Sequence, residues 1–182
     1  TGRYGQDNRN YRITASIEDA NVASRVADKN NRTSFTKNDE IFIGWSGSAS
    51  YKYLCSGTDN VFVPNASDAN RELWTGLLNA SSTKEVYAWY GTMSSTLPAV
   101  GTNISIPPDQ TSDSKMLSAI CMAAHQSASS TTNTLDFTFH HLTARLFISV
   151  DVVDDIVMQE DVMGATARLN RIYTAGNVAC LL

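Results

Sequence analysis

The stretch Leu135-Asp136-Phe137-Thr138-Phe139-His140-His141-Leu142-Thr143-Ala144-Arg145-Leu146-Phe147-Ile148-Ser149-Val150 carries the clearest structural signal in the chain. Leu135, Phe137 and Phe139 alternate with Asp136 and Thr138, the period of two of a strand with one buried face. A second alternating run follows, with Leu142, Ala144, Leu146, Ile148 and Val150 set between Thr143, Arg145 and Ser149. The apolar set sits on odd numbers through Phe139 and on even numbers from Leu142. A regular strand cannot change phase without an extra residue or a bend. The change predicts a bulge, kink or tight turn at His140-His141, with Phe139 and Leu142 both facing the core.

The same period recurs along the chain. Ile13, Ala15 and Ile17 alternate with Arg12, Thr14 and Ser16, and Ile41, Ile43 and Trp45 share one face of the next run. Tyr51, Tyr53 and Cys55 follow. Val86, Ala88 and Tyr90 alternate with Tyr87 and Trp89, which predicts a strand buried on both faces. These runs are rich in β-branched and aromatic residues and are bounded by Gly, Asn, Ser and Pro. Helical signals are few. Ala66 to Leu78 predicts one short helix, capped by Ser67 or Asp68 with Glu72 following, and Lys115 to Ala124 reads as helix or strand. Many short strands separated by turn signals predict an all-β sandwich of two packed, mostly antiparallel sheets. Its core is expected to include Ile13, Ile41, Ile43, Val86, Ala88, Phe137, Phe139, Leu146 and Ile148. The chain reads as a single domain over 1–182, with 1–10 a mobile N-terminus and 19–33 a flexible linker after the first strand.

With 42% hydrophobic and 18% charged residues, the 182-residue chain has enough apolar material for a core. Its net charge of −4 gives no electrostatic footprint for nucleic acid, and no basic run marks a membrane-surface site. No stretch approaches the run of about 20 apolar residues that spans a bilayer. The polar bias toward Ser, Thr and Asn, as in Ser127-Ala128-Ser129-Ser130-Thr131-Thr132-Asn133, suits long loops outside the cell. Cys55, Cys121 and Cys180 are widely spaced, so no Cys-x-x-Cys metal or redox pair exists. Their odd count leaves at least one free thiol, and the expectation is no disulfide.

No enzyme signature is present. The chain has no G-x-S-x-G elbow, H-E-x-x-H, phosphate loop or dinucleotide fingerprint, so no catalytic residue and no cofactor is expected. Adjacent His140 and His141 point to opposite faces of a strand and rarely share one metal. Asp151, Asp154, Asp155, Glu160 and Asp161 match no calcium-loop spacing and read as a solvated loop. No metal site is expected. Asn31, Asn65, Asn79 and Asn103 head formal glycosylation triplets, which matter only in a eukaryotic secretory pathway. Trp45, Trp74, Trp89 and the seven tyrosines offer either a sugar platform or core, and strand aromatics favour core.

Several segments, in order, resemble the fimbrillin family of Bacteroidales, the type V pilins that include the minor-fimbrillin-like proteins. Phe35-Thr36-Lys37-Asn38-Asp39-Glu40-Ile41 is similar to that family's aromatic, Gly-Asp, Ile strand opening, with Asn38 for Gly and Phe42 for a second Gly. Val86-Tyr87-Ala88-Trp89-Tyr90-Gly91 resembles its Tyr-Ala-Tyr-Tyr-Pro strand, with Gly91 in place of Pro. Pro108-Asp109-Gln110 matches a recurrent Asp-Gln, and Lys115-Met116-Leu117-Ser118-Ala119 resembles its Asp-Leu-Met-x-Ala segment. In Phe137 to Leu146, His141 takes the family His and Arg145 its basic position. The resemblance implies a transthyretin-like Greek-key β-sandwich, a cell-surface location in the outer membrane and pilus, and a lipid anchor outside this chain. It also implies a second, C-terminal sandwich domain, expected to be absent from this chain.

The resemblance further implies polymerisation with other pilus subunits by strand exchange, after an Arg-specific protease removes the first strand. Arg25 and Arg32 lie in the polar linker and are the candidate processing sites. An opened sandwich edge can accept a foreign strand through backbone hydrogen bonds, which supports the idea independently. The competing reading is a surface adhesin of the same fold, binding a host or bacterial surface ligand such as carbohydrate or protein. An enzyme would instead need a cleft holding His125, His140 or His141 beside a carboxylate.

Overall fold

The structure, a computed structural model, describes residues 10–18, 34–91, 102–105, 115, 120–142 and 175–178. These residues form β1 (Arg12–Ile17), β2 (Glu40–Gly44), β3 (Tyr51–Cys55), β4 (Val61–Pro64), α1 (Ser67–Leu78), β5 (Lys84–Gly91), β6 (Thr102–Ser105), β7 (Cys121–Ala128), β8 (Thr134–His141) and β9 (Ala175–Val178). β6 and β9 make a two-stranded antiparallel ladder from Thr102↔Val178 to Ser105↔Ala175. The other seven strands close into a barrel in the order β1-β4-β3-β2-β5-β7-β8, with β8 returning to β1. All barrel neighbours run antiparallel except β1 and β8, which are parallel from Arg12↔Thr134 to Ile17↔Phe139.

This closure corrects the expected transthyretin-like two-sheet sandwich. Alternation reports which side of a strand is buried, and sandwiches and barrels bury the same side. What separates them is whether the outermost strands pair. β1 pairs on both edges, with β8 and with β4 through Ile13↔Phe62 and Thr14↔Val61, so the sheet has no free end.

The interior is built from the period-two residues. Ile13, Ile41, Ile43, Val86, Ala88, Phe137 and Phe139 are all buried, while Leu146 and Ile148 lie outside the described residues. β5 is buried on both faces as expected, with Ala88 inward and Trp89 only 1% exposed on the opposite side. α1 closes one end of the barrel with Leu73, Trp74 and Leu77. There Tyr11 stacks on Trp74 at 4.6 Å between ring centroids, and the Tyr53 hydroxyl and Trp74 Nε1 both donate to Asn70 Oδ1. At the other end Phe35 fills the mouth, its ring 5.2 Å from Phe62 and 5.2 Å from Phe139.

Two local expectations are overturned. β8 runs with regular alternation through His140 and His141, and Leu142, in the bend that follows, is 41% exposed instead of facing the core. β8 therefore ends at His141, and Leu142 donates its N–H to Cys121 O at 2.9 Å. Ser67 and Asp68 do not cap α1 either. Ala66 holds the extended N-cap conformation, with no side-chain cap bond. The strand reading prevails for Cys121 to Ala124. Cys55 and Cys121 are buried free thiols, and Cys180 lies outside the described residues.

Candidate functional site

β1 fills a slot between β4 and β8. Three side chains drive it inward, with Ile13 3%, Ala15 1% and Ile17 7% exposed. Burying an Ile contributes on the order of 1.5–3 kcal/mol, so the strand is well held. Backbone bonds fix both edges: Arg12 N–H donates to Asn133 O at 3.0 Å, Glu18 N–H to Phe139 O at 2.9 Å and Ala15 N–H to Asn60 O at 3.0 Å. On the outer face Thr14 Oγ1 donates to Asp136 Oδ1 at 2.7 Å, and the Glu18 carboxylate pairs with His140 Nδ1.

The slot's flanks are thin. β1 meets β4 through two residue pairs, and β8 meets β7 only at Met122↔His141 and Ala123↔His140. Beyond Ala123 the β7–β8 ladder parts, and Gln126 Oε1 accepts the Asp136 backbone N–H at 2.7 Å in its place. The β7–β8 hairpin is closed again at its tip, where Thr132 N–H donates to Ser129 O at 3.0 Å. Without β1, the edges of β4 and β8 and a floor of Phe62, Leu135, Phe137 and Phe139 would face solvent.

The histidines hold carboxylates on the open surface. His125 Nδ1 lies 3.4 Å from Glu85 Oε2, and Ser127 Oγ donates to Glu85 Oε1. The Ser127 bond, helped by His125, holds the Glu85 carboxyl below the usual range. The serine serves the carboxylate and is not bonded to the imidazole that would activate it as a nucleophile. His125, Glu85, His140 and Glu18 are all exposed. Among the described residues no group of three potential ligands comes together for a metal. Trp45, Trp74 and Trp89 are buried and cannot form a sugar platform. A shallow depression of about 300 Å³, lined by Asn38, Asp39, Glu40, Phe42, Tyr90 and Gly91, opens where the β2–β5 ladder stops at Phe42↔Trp89.

Arg25 and Arg32, the linker 19–33, Asn31 and the acidic run from Asp151 to Asp161 lie outside the described residues. Asn65 and Asn79 are exposed. The contacts that tie β1 down, Glu18 with His140 and Thr14 with Asp136, join residues 122 apart in sequence, so no local period could reveal them. Tyr11 carries a signal, an aromatic residue one place before the alternating run.

No family model matches the chain, and no curated protein matches it. Among solved structures, one of a Bacteroides ovatus protein provisionally described as a cell adhesion protein is 14% identical, with a TM-score of 0.47. That match covers 73% of this chain and 53% of the other. A second, from Bacteroides uniformis and described in the same way, is 16% identical with a TM-score of 0.43, over 74% of this chain and 49% of the other. The chain spans about half the length of each. A likeness at these scores fixes neither a shared topology nor a shared role.

Proposed function

We propose that this chain is a non-catalytic module of a bacterial cell-surface pilus, a structural or accessory subunit whose first strand is replaced by a strand of a neighbouring subunit. The observation that carries the reading is the placement of β1. It lies between two neighbours, completes the core with Ile13, Ala15 and Ile17, and is followed by a segment holding Arg25 and Arg32. β4-β3-β2-β5-β7 is a continuous antiparallel sheet that does not depend on β1. An emptied slot would present two unpaired edges and an aromatic floor, which an added strand satisfies through main-chain bonds and side-chain pockets. On this reading the partners are other subunits at the cell surface.

The experiment is limited digestion with an Arg-specific protease on wild type, Arg25→Ala and Arg32→Ala. First cleavage at Arg25 or Arg32 is expected, followed by uptake of a labelled strand peptide and growth of oligomers. First cleavage at another Arg, or a cut chain that never exchanges β1, overturns the reading. The adhesin alternative is favoured by the depression beside Phe42 and Tyr90, where polar and aromatic groups meet. Saturable binding of a surface glycan, abolished by Phe42→Ala in a chain that exchanges no strand, would select it.

A further inference from the structure

The segment Arg12-Ile13-Thr14-Ala15-Ser16-Ile17-Glu18 is nearly a palindrome about Ala15. Turned end for end, it would still present Ile, Ala and Ile to the core and a hydroxyl opposite Asp136. The backbone does not favour the observed direction either. β1 is parallel to β8 over six residue pairs and antiparallel to β4 over two, so reversal only exchanges the two kinds of pairing. Antiparallel pairing is slightly the stronger per residue, so the ladder leans toward the reversed strand.

The asymmetry lies at the ends. Tyr11 stacks on Trp74 at 4.6 Å at the end closed by α1, and Glu18 pairs with His140 at the other. The polar contacts keep step on both strands: Thr14 to Glu18 and Asp136 to His140 each span four residues, as an in-register parallel pair requires. Reversal about Ala15 would move Glu18 away to the level of Thr134 and set the Arg12 guanidinium beside His140.

We infer that the direction of the strand in this slot is read from its two ends, the aromatic ring on Trp74 and the carboxylate on His140, and not from its apolar face. The inference rests on the strand-exchange reading. It names the partner segment: an extended strand with the pattern apolar, small, apolar at alternate positions, preceded by an aromatic residue and ended by a carboxylate, inserted parallel to β8.

The test uses the chain cut after β1 and a peptide of residues Tyr11 to Glu18 with a spin label at its N-terminus. In wild type the label should broaden the Trp74 indole N–H signal. His140→Lys should keep that orientation. His140→Glu, an exposed position that leaves the core intact, combined with a Tyr11→Ala peptide, should shift a large part of the bound peptide to the reversed orientation. The expected preference is about fivefold for each end. Unchanged broadening in the doubly altered pair overturns the inference and leaves strand exchange standing. A cut chain that takes up no peptide removes strand exchange and the inference with it.

Discussion

Gly91 ends β5 with φ +102, a conformation that L side chains rarely adopt, and a Cβ built there would lie 1.8 Å from Ile120 O. Proline, with φ held near −65°, cannot take this geometry. Gly91→Ala is expected to destabilise by roughly 3 kcal/mol, read as a fall in Tm of about 10 °C by calorimetry. Asn38 also has a positive φ, of 71, which lies in the left-handed region that Asn tolerates. On the surface, the Ser127 hydroxyl is the main cause of the lowered Glu85 pKa. In Ser127→Ala the carboxyl should therefore titrate at higher pH than in wild type, nearer an ordinary Glu, as followed by its side-chain carbon shift in NMR. No change would mean that His125 alone sets it. Such contacts are invisible in sequence because β5 and β7 are adjacent only in space.

At the scale of elements, period and propensity marked the strands well. Ile13, Ala15 and Ile17, and likewise Leu135, Phe137 and Phe139, alternate and are buried as read. The helix was legible from Ala66 to Leu78, but its cap was not. Ser67 and Asp68 are both good capping residues, yet the chain turns one residue earlier and leaves Ala66 at the N-cap with φ −141 and ψ 147. The Ala66 side chain cannot accept a bond from the free N–H groups of the first turn. Ala66→Asp should supply that acceptor and a favourable charge at the helix N-terminus. It is expected to stabilise by about 1 kcal/mol, a rise in Tm of about 3 °C. An unchanged Tm would show that water serves the first turn equally well. The phase change at His140-His141 predicts a bulge, kink or tight turn with Phe139 and Leu142 both facing the core, but Leu142 is exposed. β8 instead ends at His141, and the even-numbered apolar set begins beyond it.

At the scale of the whole molecule, closure was not legible, because it depends on which strand edges meet and alternation is silent on that. The closure is also uneven, which bears on how the barrel opens. β5 and β7 share eight residue pairs, Lys84↔Ala128 to Gly91↔Cys121, and β1 and β8 share six. The two seams that join the β1–β8 pair to the rest, β1 with β4 and β7 with β8, have two each. Opening should begin at the thin β1–β4 seam, so β1 should come away from β4 and β8 before the β5–β7 ladder yields. Cooperative units of this kind appear in native-state hydrogen exchange as groups of amides with a common opening free energy. The even-numbered β1 amides are bonded to β8 and the odd-numbered β8 amides to β1, so both sets should exchange together. They should do so well before the amides of Val86, Ala88 and Ala124. In Glu18→Gln the shared exchange should quicken by up to about fivefold, because the Glu18–His140 pair ties β1 to β8 at an exposed site and screening limits its strength. If the two sets exchange at different rates, or no faster than Val86 and Ala88, β1 does not come away as a unit and the slot does not open along its seams.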